Sequence, residues 1–304
     1  MEHRNMNERR YDLLPKLLAK RKRVTPKSMT KLYDDEIWFD DYFSLKYIDD
    51  TTIAIGEPRY WQRNYSYLIL GDSKALMFDA GSGENNIYKV ARNLTDLPII
   101  HMISHYHYDH IGSTDKFKKI YLAKNQTKFQ QVSNDNIIVP KKTLGFLEKK
   151  NTPKIQFSKI VKNREFINLG NRKLQVLYSP GHNSESISLY DPMRKQLFAG
   201  DYLMRGVMPL TKSSMLQTSY AEFRWATKNL IKNVKFGTKI YVAHPVGFAA
   251  ELNNKEYLGK IKFADQMELS QQDLVDLNAV INKYPRQSIL PKKIKVNDNV
   301  KIIF

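Results

Sequence analysis

The chain reads as a mixed α/β (α+β) fold, and three observations predict it. Short apolar runs end repeatedly in a turn that carries a histidine or an aspartate. Stretches with helical spacing lie between and outside those runs. With 304 residues and 42% hydrophobic content, the chain can bury one large core, or a core with a small appendage.

The strand expectations follow in order. Residues 67–70 and 74–79 read as two strands joined by Gly71-Asp72-Ser73, a turn of hairpin chemistry, and lead into Ala80-Gly81-Ser82-Gly83. Residues 98–103 form an apolar run. Residues 174–179 read as a strand that ends in Pro180-Gly181-His182. Residues 195–201 end in Gly200-Asp201, where the glycine permits close backbone approach. Residues 239–245 deliver His244 from a fourth such run. Helical spacing covers 219–234, with Phe223, Ala226, Leu230 and Ile231 as its buried face, and a further helix covers 271–283. Pro285 and Pro291 then break the chain, and residues 300–304 read as a last strand completing a sheet edge.

Directly after the run at 98–103 stands His105-Tyr106-His107-Tyr108-Asp109-His110, which places four metal-ligating side chains within six residues. In an extended backbone alternate side chains share a face, so His105, His107 and Asp109 converge while His110 turns into the adjacent space. Two neighbouring cations suit that geometry better than one. Histidine is sparse, at seven in the chain, which makes this spacing a specific signal. Imidazole and carboxylate suit zinc or iron, and the absence of cysteine excludes thiolate sites.

The ordered set HxHxDH, PGH, GD and a late histidine resembles the metallo-β-lactamase-fold hydrolase superfamily, in its glyoxalase II-like and lactonase-like branch, across residues 53–250. That resemblance implies a four-layer αββα sandwich. It implies that His105, His107 and His182 hold one metal, that Asp109, His110 and His244 hold a second, and that Asp201 bridges them. It also implies two metal ions per chain, with zinc the default and iron or manganese the alternatives, since nitrogen and oxygen ligands do not fix the metal. Asp79, in the family's position for a supporting carboxylate, is the candidate partner of a ligand imidazole. The sequence departs from the family after His182, where Asn183-Ser184-Glu185-Ser186 lacks a glycine, and after His244, where Pro245-Val246-Gly247 follows. Glyoxalase activity as such is therefore not implied, and no glutathione-binding pattern is recognisable.

The expected function is a dinuclear metal-dependent hydrolase that cleaves a small, anionic ester, thioester or lactone by a metal-bridging hydroxide. Asp109, besides ligating, is the candidate catalytic residue that orients the attacking oxygen or moves its proton. Tyr106, Tyr108, Tyr202 and Asn183 are candidate substrate contacts by adjacency to ligands. Two alternatives remain open: a phosphodiesterase or nuclease acting on nucleic acid, and a non-catalytic metal-binding sensor of the same fold.

Charge bears on the substrate. The chain carries 49 basic and 31 acidic residues, a net +18. Residues 111–164 hold thirteen Lys or Arg against three Asp or Glu, so more than half the excess falls between the first motif and His182. The segment reads first as a solvated lysine-rich surface; as a positive rim it would concentrate anionic substrates, and nucleic acid, phospholipid surfaces and small acidic metabolites all qualify. The aromatics within it, Phe117, Tyr121, Phe129, Phe146 and Phe157, read as core before they read as base-stacking platforms.

Residues 1–40 read as a basic N-terminal extension and 41–304 as the hydrolase domain. Within the extension Leu13, Leu14, Leu17 and Leu18 share a helical face, expected to pack on the domain, with a membrane surface or an acidic partner as the alternative. No run of eighteen apolar residues and no secretory pattern occurs, so no transmembrane segment and a cytoplasmic location are expected. The sequence leaves the oligomeric state unspecified.

Overall fold

In the computed structural model, residues 24–128, 131–133, 135–139, 153–209, 219–245, 262–286 and 291–303 are described. Among them the first sheet runs β1 (Ile37–Trp38), β2 (Ser44–Asp49), β3 (Thr52–Gly56), β4 (Tyr65–Leu70), β5 (Ala75–Phe78), β6 (Ile99–Met102) and β7 (Ile120–Ala123), then a strand at Lys159–Val161 parallel to β7. A small sheet of β8 (Gln131–Ser133), β9 (Asn136–Ile138) and β10 (Lys154–Gln156) precedes that strand, β11. The second sheet is ordered β12 (Phe166–Asn168), β13 (Lys173–Tyr178), β14 (Ile187–Asp191), β15 (Gln196–Phe198), β17 (Lys239–Tyr241) and β18 (Glu268–Ser270). Between β15 and β17 in sequence, β16 (Gly206–Pro209) leaves this sheet to join β19 (Lys293–Lys295) and β20 (Val300–Ile303).

Alternation along the strands sorts side chains into layers. Tyr67 and Ile69 of β4, Leu76 and Phe78 of β5 and Met102 of β6 join one core with Val176, Leu189 and Phe198 of the second sheet. The intervening Leu68, Ala75 and Met77 belong to a second core, beneath Ile87, Val90 and Ala91 of α1 (Ile87–Leu94). Tyr67 shows the first contact directly: its ring centroid lies 5.1 Å from that of Phe198, and its hydroxyl donates to Val242 O at 2.5 Å. Both faces of β4 and β5 are thus buried, which explains their nearly unbroken apolar sequence.

A short α2 (Tyr108–Ile111) follows β6, and the outer face of the second sheet is covered by α3 (Tyr220–Asn233) and α4 (Gln271–Asn282). Phe223, Ala226 and Leu230 of α3 pack with Leu274, Leu277 and Ile281 of α4, as the helical spacing predicts, and Ile231 is partly buried against the same core. The four-layer αββα sandwich is the architecture of the chain. One detail differs from expectation: β20 completes no edge of a main sheet. It is the central strand of its own three-stranded sheet, paired with β16 and β19, and its fully buried Val300 and Ile302 pack into the main core.

The described residues below 41 are packed on the domain. Tyr33 lies in the main core, and Glu36 accepts from the Tyr65 hydroxyl and from Arg63 Nη2 at 3.2 Å. Thr25 N donates to Arg59 O at 2.8 Å. The leucines at 13, 14, 17 and 18 lie outside the described residues, as do Phe129, Phe146, Val246 and Gly247. No helix among the described residues is long and apolar enough to cross a membrane.

Candidate metal centre

Parallel strands deliver the candidate ligands to one edge. β5 and β6 pair in parallel, so Asp79 and the loop at 103–107 leave the first sheet side by side. In the second sheet β15 and β17 are parallel, and β13 points the same way through the antiparallel β14. His182, Asp201 and His244 therefore emerge together, beyond the C-terminal ends of their strands.

The HxHxDH segment is not extended throughout. His107 has extended backbone angles, but it caps α2, and Asp109 and His110 lie on that single helical turn. Strict alternation to Asp109 is thus overturned, since a helical turn places residues 109 and 110 beside each other where a strand would oppose them. The consequence is two groups. Ligand atoms of His105, His107, His182 and Asp201 lie within 4.8 Å of one another, and those of Asp109, His110 and His244 do the same.

Asp201 stands between the groups with one oxygen towards each. Its Oδ2 is 3.5 Å from His182 Nε2 and 3.9 Å from His105 Nε2. Its Oδ1 is 3.4 Å from His110 Nε2 and 3.5 Å from His244 Nε2. Asp109 Oδ2 approaches His244 Nε2 at 3.3 Å, and His107 Nδ1 lies 3.1 Å from His182 Nε2.

All seven side chains are buried. Burial disfavours an imidazolium, and in the first group it dominates, holding His107 down to about 3 and His105 well below the usual imidazole range. In the second group burial acts the same way but is outweighed. The Asp201 and Asp109 carboxylates hold His244 up at about 10, and Asp201, Asp109 and Asp79 hold His110 well above its ordinary value. Asp201 itself, although burial works against its charge, is kept well below the carboxylate range by His244 and His110.

Each of the two donor groups could hold a metal ion. Buried His105 Nε2, His110 Nε2, Asp201 Oδ1 and His244 Nε2 have no hydrogen-bond partner among the described residues. Unpartnered buried polar atoms cost free energy, and here they converge on one volume, as ligand atoms do.

A supporting frame holds the cluster. Asp79, at φ 67°, accepts from Ser104 N at 2.6 Å, Ser104 Oγ at 2.9 Å and His110 Nδ1 at 2.9 Å. Ser104 Oγ also lies 3.0 Å from His105 Nδ1. These contacts leave the Nε2 atoms of both rings facing the cluster. Gly200, at φ 54°, is required by close approach: a Cβ there would stand 2.7 Å from Ser104 Cβ. Gly181, at φ 145°, packs on Phe223 in the same way, and the turn closed by Ser186 N to Asn183 O carries His182 into the site without the family's later glycine.

Sequence reasoning missed several supports. Ser104 links Asp79 to two imidazoles, and its signal was only a small polar residue between an apolar run and the motif. Asn64 Nδ2 donates to Asp109 O at 2.6 Å, fixing α2. Buried Glu57 accepts from Ser82 N at 2.8 Å, Ser82 Oγ at 2.6 Å and Tyr42 OH at 3.1 Å, which pins the loop beside Asp79. Burial pushes the Glu57 carboxyl up to about 7. The adjacency reading of the tyrosines is corrected. Tyr106 and Tyr202 are core residues, their hydroxyls bonded to Gln126 O at 3.1 Å and to Thr227 Oγ1 at 2.6 Å. Tyr108 is buried with its hydroxyl on Gln62, and Asn183 is buried beside His182. Phe117 and Phe157 are core, while Tyr121 is partly exposed between Lys119 and Lys159.

Comparison with known proteins agrees with this geometry. The family described as the Metallo-beta-lactamase superfamily matches residues 59–126, which include the HxHxDH motif. The chain is 25% identical over 190 residues to the acyl-coenzyme A thioesterase MBLAC2 of Bos taurus, covering 55% of this chain and 68% of that protein. It is 29% identical over 184 residues to a hydroxyacylglutathione hydrolase of Francisella tularensis, covering 60% of this chain and 63% of the relative. Among solved structures, a metallo-beta-lactamase from Pontibacter korlensis aligns with TM-score 0.54 at 12% identity, over 79% of this chain and 99% of its own. TMB-1 aligns with TM-score 0.55 at 12% identity, over 81% and 99%. Motif, matched segment and fold concur in one likeness: the chain is similar to the metal-dependent hydrolases of the metallo-β-lactamase superfamily.

Proposed function

We propose that this protein is a dinuclear hydrolase that cleaves a small anionic ester, thioester or lactone, with zinc as its metal. The observation that carries the reading is Asp201, whose two oxygens face separate three-residue groups. His105, His107 and His182 would hold one cation, Asp109, His110 and His244 the other, and Asp201 both. Such a pair supplies polarisation of the scissile carbonyl and a water acidified towards neutrality.

The chain's own residues supply position and proton transfer. Asn64 fixes the Asp109 backbone, and the Asp109 carboxylate sits within reach of His244, at the cluster rather than behind it. Burial opposes its charge, but His110 and His244 keep it below the usual carboxylate range, so it is available to receive a proton from the attacking water and return it to the leaving group. The thioester option gains support from a relative named as an acyl-coenzyme A thioesterase, and the anionic preference from the +18 charge.

Two measurements test this. Elemental analysis of protein purified without added metal should find about two transition-metal ions per chain. A panel of esters, thioesters, lactones, phosphodiesters and β-lactams, run on metal-loaded protein, should show turnover of an acyl substrate that His107→Ala and Asp201→Ala abolish while circular dichroism stays unchanged. Metal near zero after loading, or unchanged turnover in both variants, overturns the reading. Cleavage of phosphodiesters alone would replace the substrate class.

A further inference from the structure

Far from the ligand edge, two loops of the second sheet meet. Residues 192–195 connect β14 to β15, and residues 234–238 connect α3 to β17. They are held together: Lys239 N donates to Lys195 O at 2.9 Å, Lys235 N to Tyr190 OH at 3.0 Å and Lys235 Nζ to Pro192 O at 3.5 Å. At their tips stand Phe236, 84% exposed, and Met193, 75% exposed, the two most exposed large hydrophobic side chains among the described residues. Trp225, half exposed on α3, shares a helical face with exposed Lys228 and Lys232, and that face runs towards Phe236.

The charges around the tips are selectively free. Arg194 is paired with Asp49 and Asp50, and Lys239 with Glu268. Lys195, Lys228, Lys232 and Lys235 have no carboxylate partner among the described residues. Protruding apolar tips inside a ring of unpaired ammonium groups match a surface that is anionic outside and apolar just beneath. Two separate projections, rather than one flat patch, suit a deformable boundary better than a shaped protein face.

We propose that this end of the molecule docks on an anionic lipid bilayer, with Met193 and Phe236 entering the headgroup–acyl boundary and Lys195, Lys228, Lys232 and Lys235 on lipid phosphates. Asp201 and His244 leave β15 and β17 at the opposite end from these loops, so docking keeps the metal edge in water.

Co-sedimentation of the full chain with vesicles tests the proposal. Binding is expected to vesicles of equimolar phosphatidylcholine and phosphatidylserine, falling as salt rises, and not to phosphatidylcholine alone. Met193→Ser/Phe236→Ser should weaken binding by roughly tenfold or more, and Lys232→Glu/Lys235→Glu by a similar factor, since each surface cation contributes roughly fivefold. Neither variant touches the metal cluster, so metal content should stay unchanged in both. Failure of the wild-type chain to sediment with anionic vesicles overturns the proposal and leaves an acidic protein as the partner of this surface. Wild-type binding by Met193→Ser/Phe236→Ser also overturns it, by placing the contact elsewhere on the chain.

Discussion

Asp79→Asn is the substitution that most directly tests how the cluster is held. The change is isosteric, and asparagine tolerates the left-handed backbone found at this position, so the fold should survive. Its effect comes from donor and acceptor roles. With the amide oxygen towards Ser104 N, which now sits 2.6 Å from Oδ1, the amide nitrogen takes the place of Oδ2 and faces His110 Nδ1 across 2.9 Å. Two donors cannot share that contact. His110 must shift its proton to Nε2, the atom that faces Asp201 Oδ1 at 3.4 Å and is proposed to ligate. The flipped amide is no better, because it leaves the buried Ser104 N–H against another donor, at a cost of about 1–3 kcal/mol. Loss of such a supporting carboxylate typically lowers metal affinity by roughly 10–100-fold, or about 1.4–2.8 kcal/mol. Competition titration of metal-free protein against a chelator of known zinc affinity reads this directly. The expected result is the site of Asp109, His110 and His244 weakened more than the other, because His110 bonds Asp79 directly whereas His105 reaches it only through Ser104 and the histidines at 107 and 182 do not touch it. If folded Asp79→Asn bound both ions with wild-type affinity, the orienting role of Asp79 would be refuted.

Two further outcomes are expected. Gly200→Ala forces a Cβ to within 2.7 Å of Ser104 Cβ at a backbone angle that disfavours L-residues, so thermal denaturation should show a loss of about 2–4 kcal/mol together with reduced metal content; an unchanged midpoint would mean the strands move apart freely. His101, fully buried and stacked on Phe117, has its pKa lowered to about 4 by burial, against the opposing contact with Met77 O. The unfolded chain therefore takes up a proton below pH 6.5 that the native chain refuses until about pH 4, and stability falls as pH drops through that window by about 3 kcal/mol. Urea titrations at pH 7 and pH 4 should show this loss reduced by that amount in His101→Gln, which keeps a donor and an acceptor; identical pH slopes for the two proteins would refute the assignment.

The candidate ligands were legible in the sequence because each follows an apolar run, and a side chain just beyond a strand end lands on the sheet edge whatever the rest of the chain does. The supports were less legible. Ser104, Asn64 and Glu57 are ordinary residues in ordinary turns, and only the meeting of segments more than twenty residues apart makes them partners of Asp79, Asp109 and Ser82. Tyr106 and Tyr202 misled for the converse reason: adjacency along the chain says nothing about direction when a neighbouring side chain points into the opposite layer.

Local chemistry therefore determined the mixed α/β class, the positions of the strands that lead into the motifs and the residue types of the seven candidate donors, since periodicity and residue type are properties of short segments. Tertiary structure alone decided how the two groups implied by the resemblance meet, with one Asp201 oxygen towards each, that α2 turns Asp109 and His110 away from the strand path, and that Met193 and Phe236 share one exposed end. Each of these depends on which strands run parallel and which loops meet, and those relations are settled by burying both faces of two sheets at once.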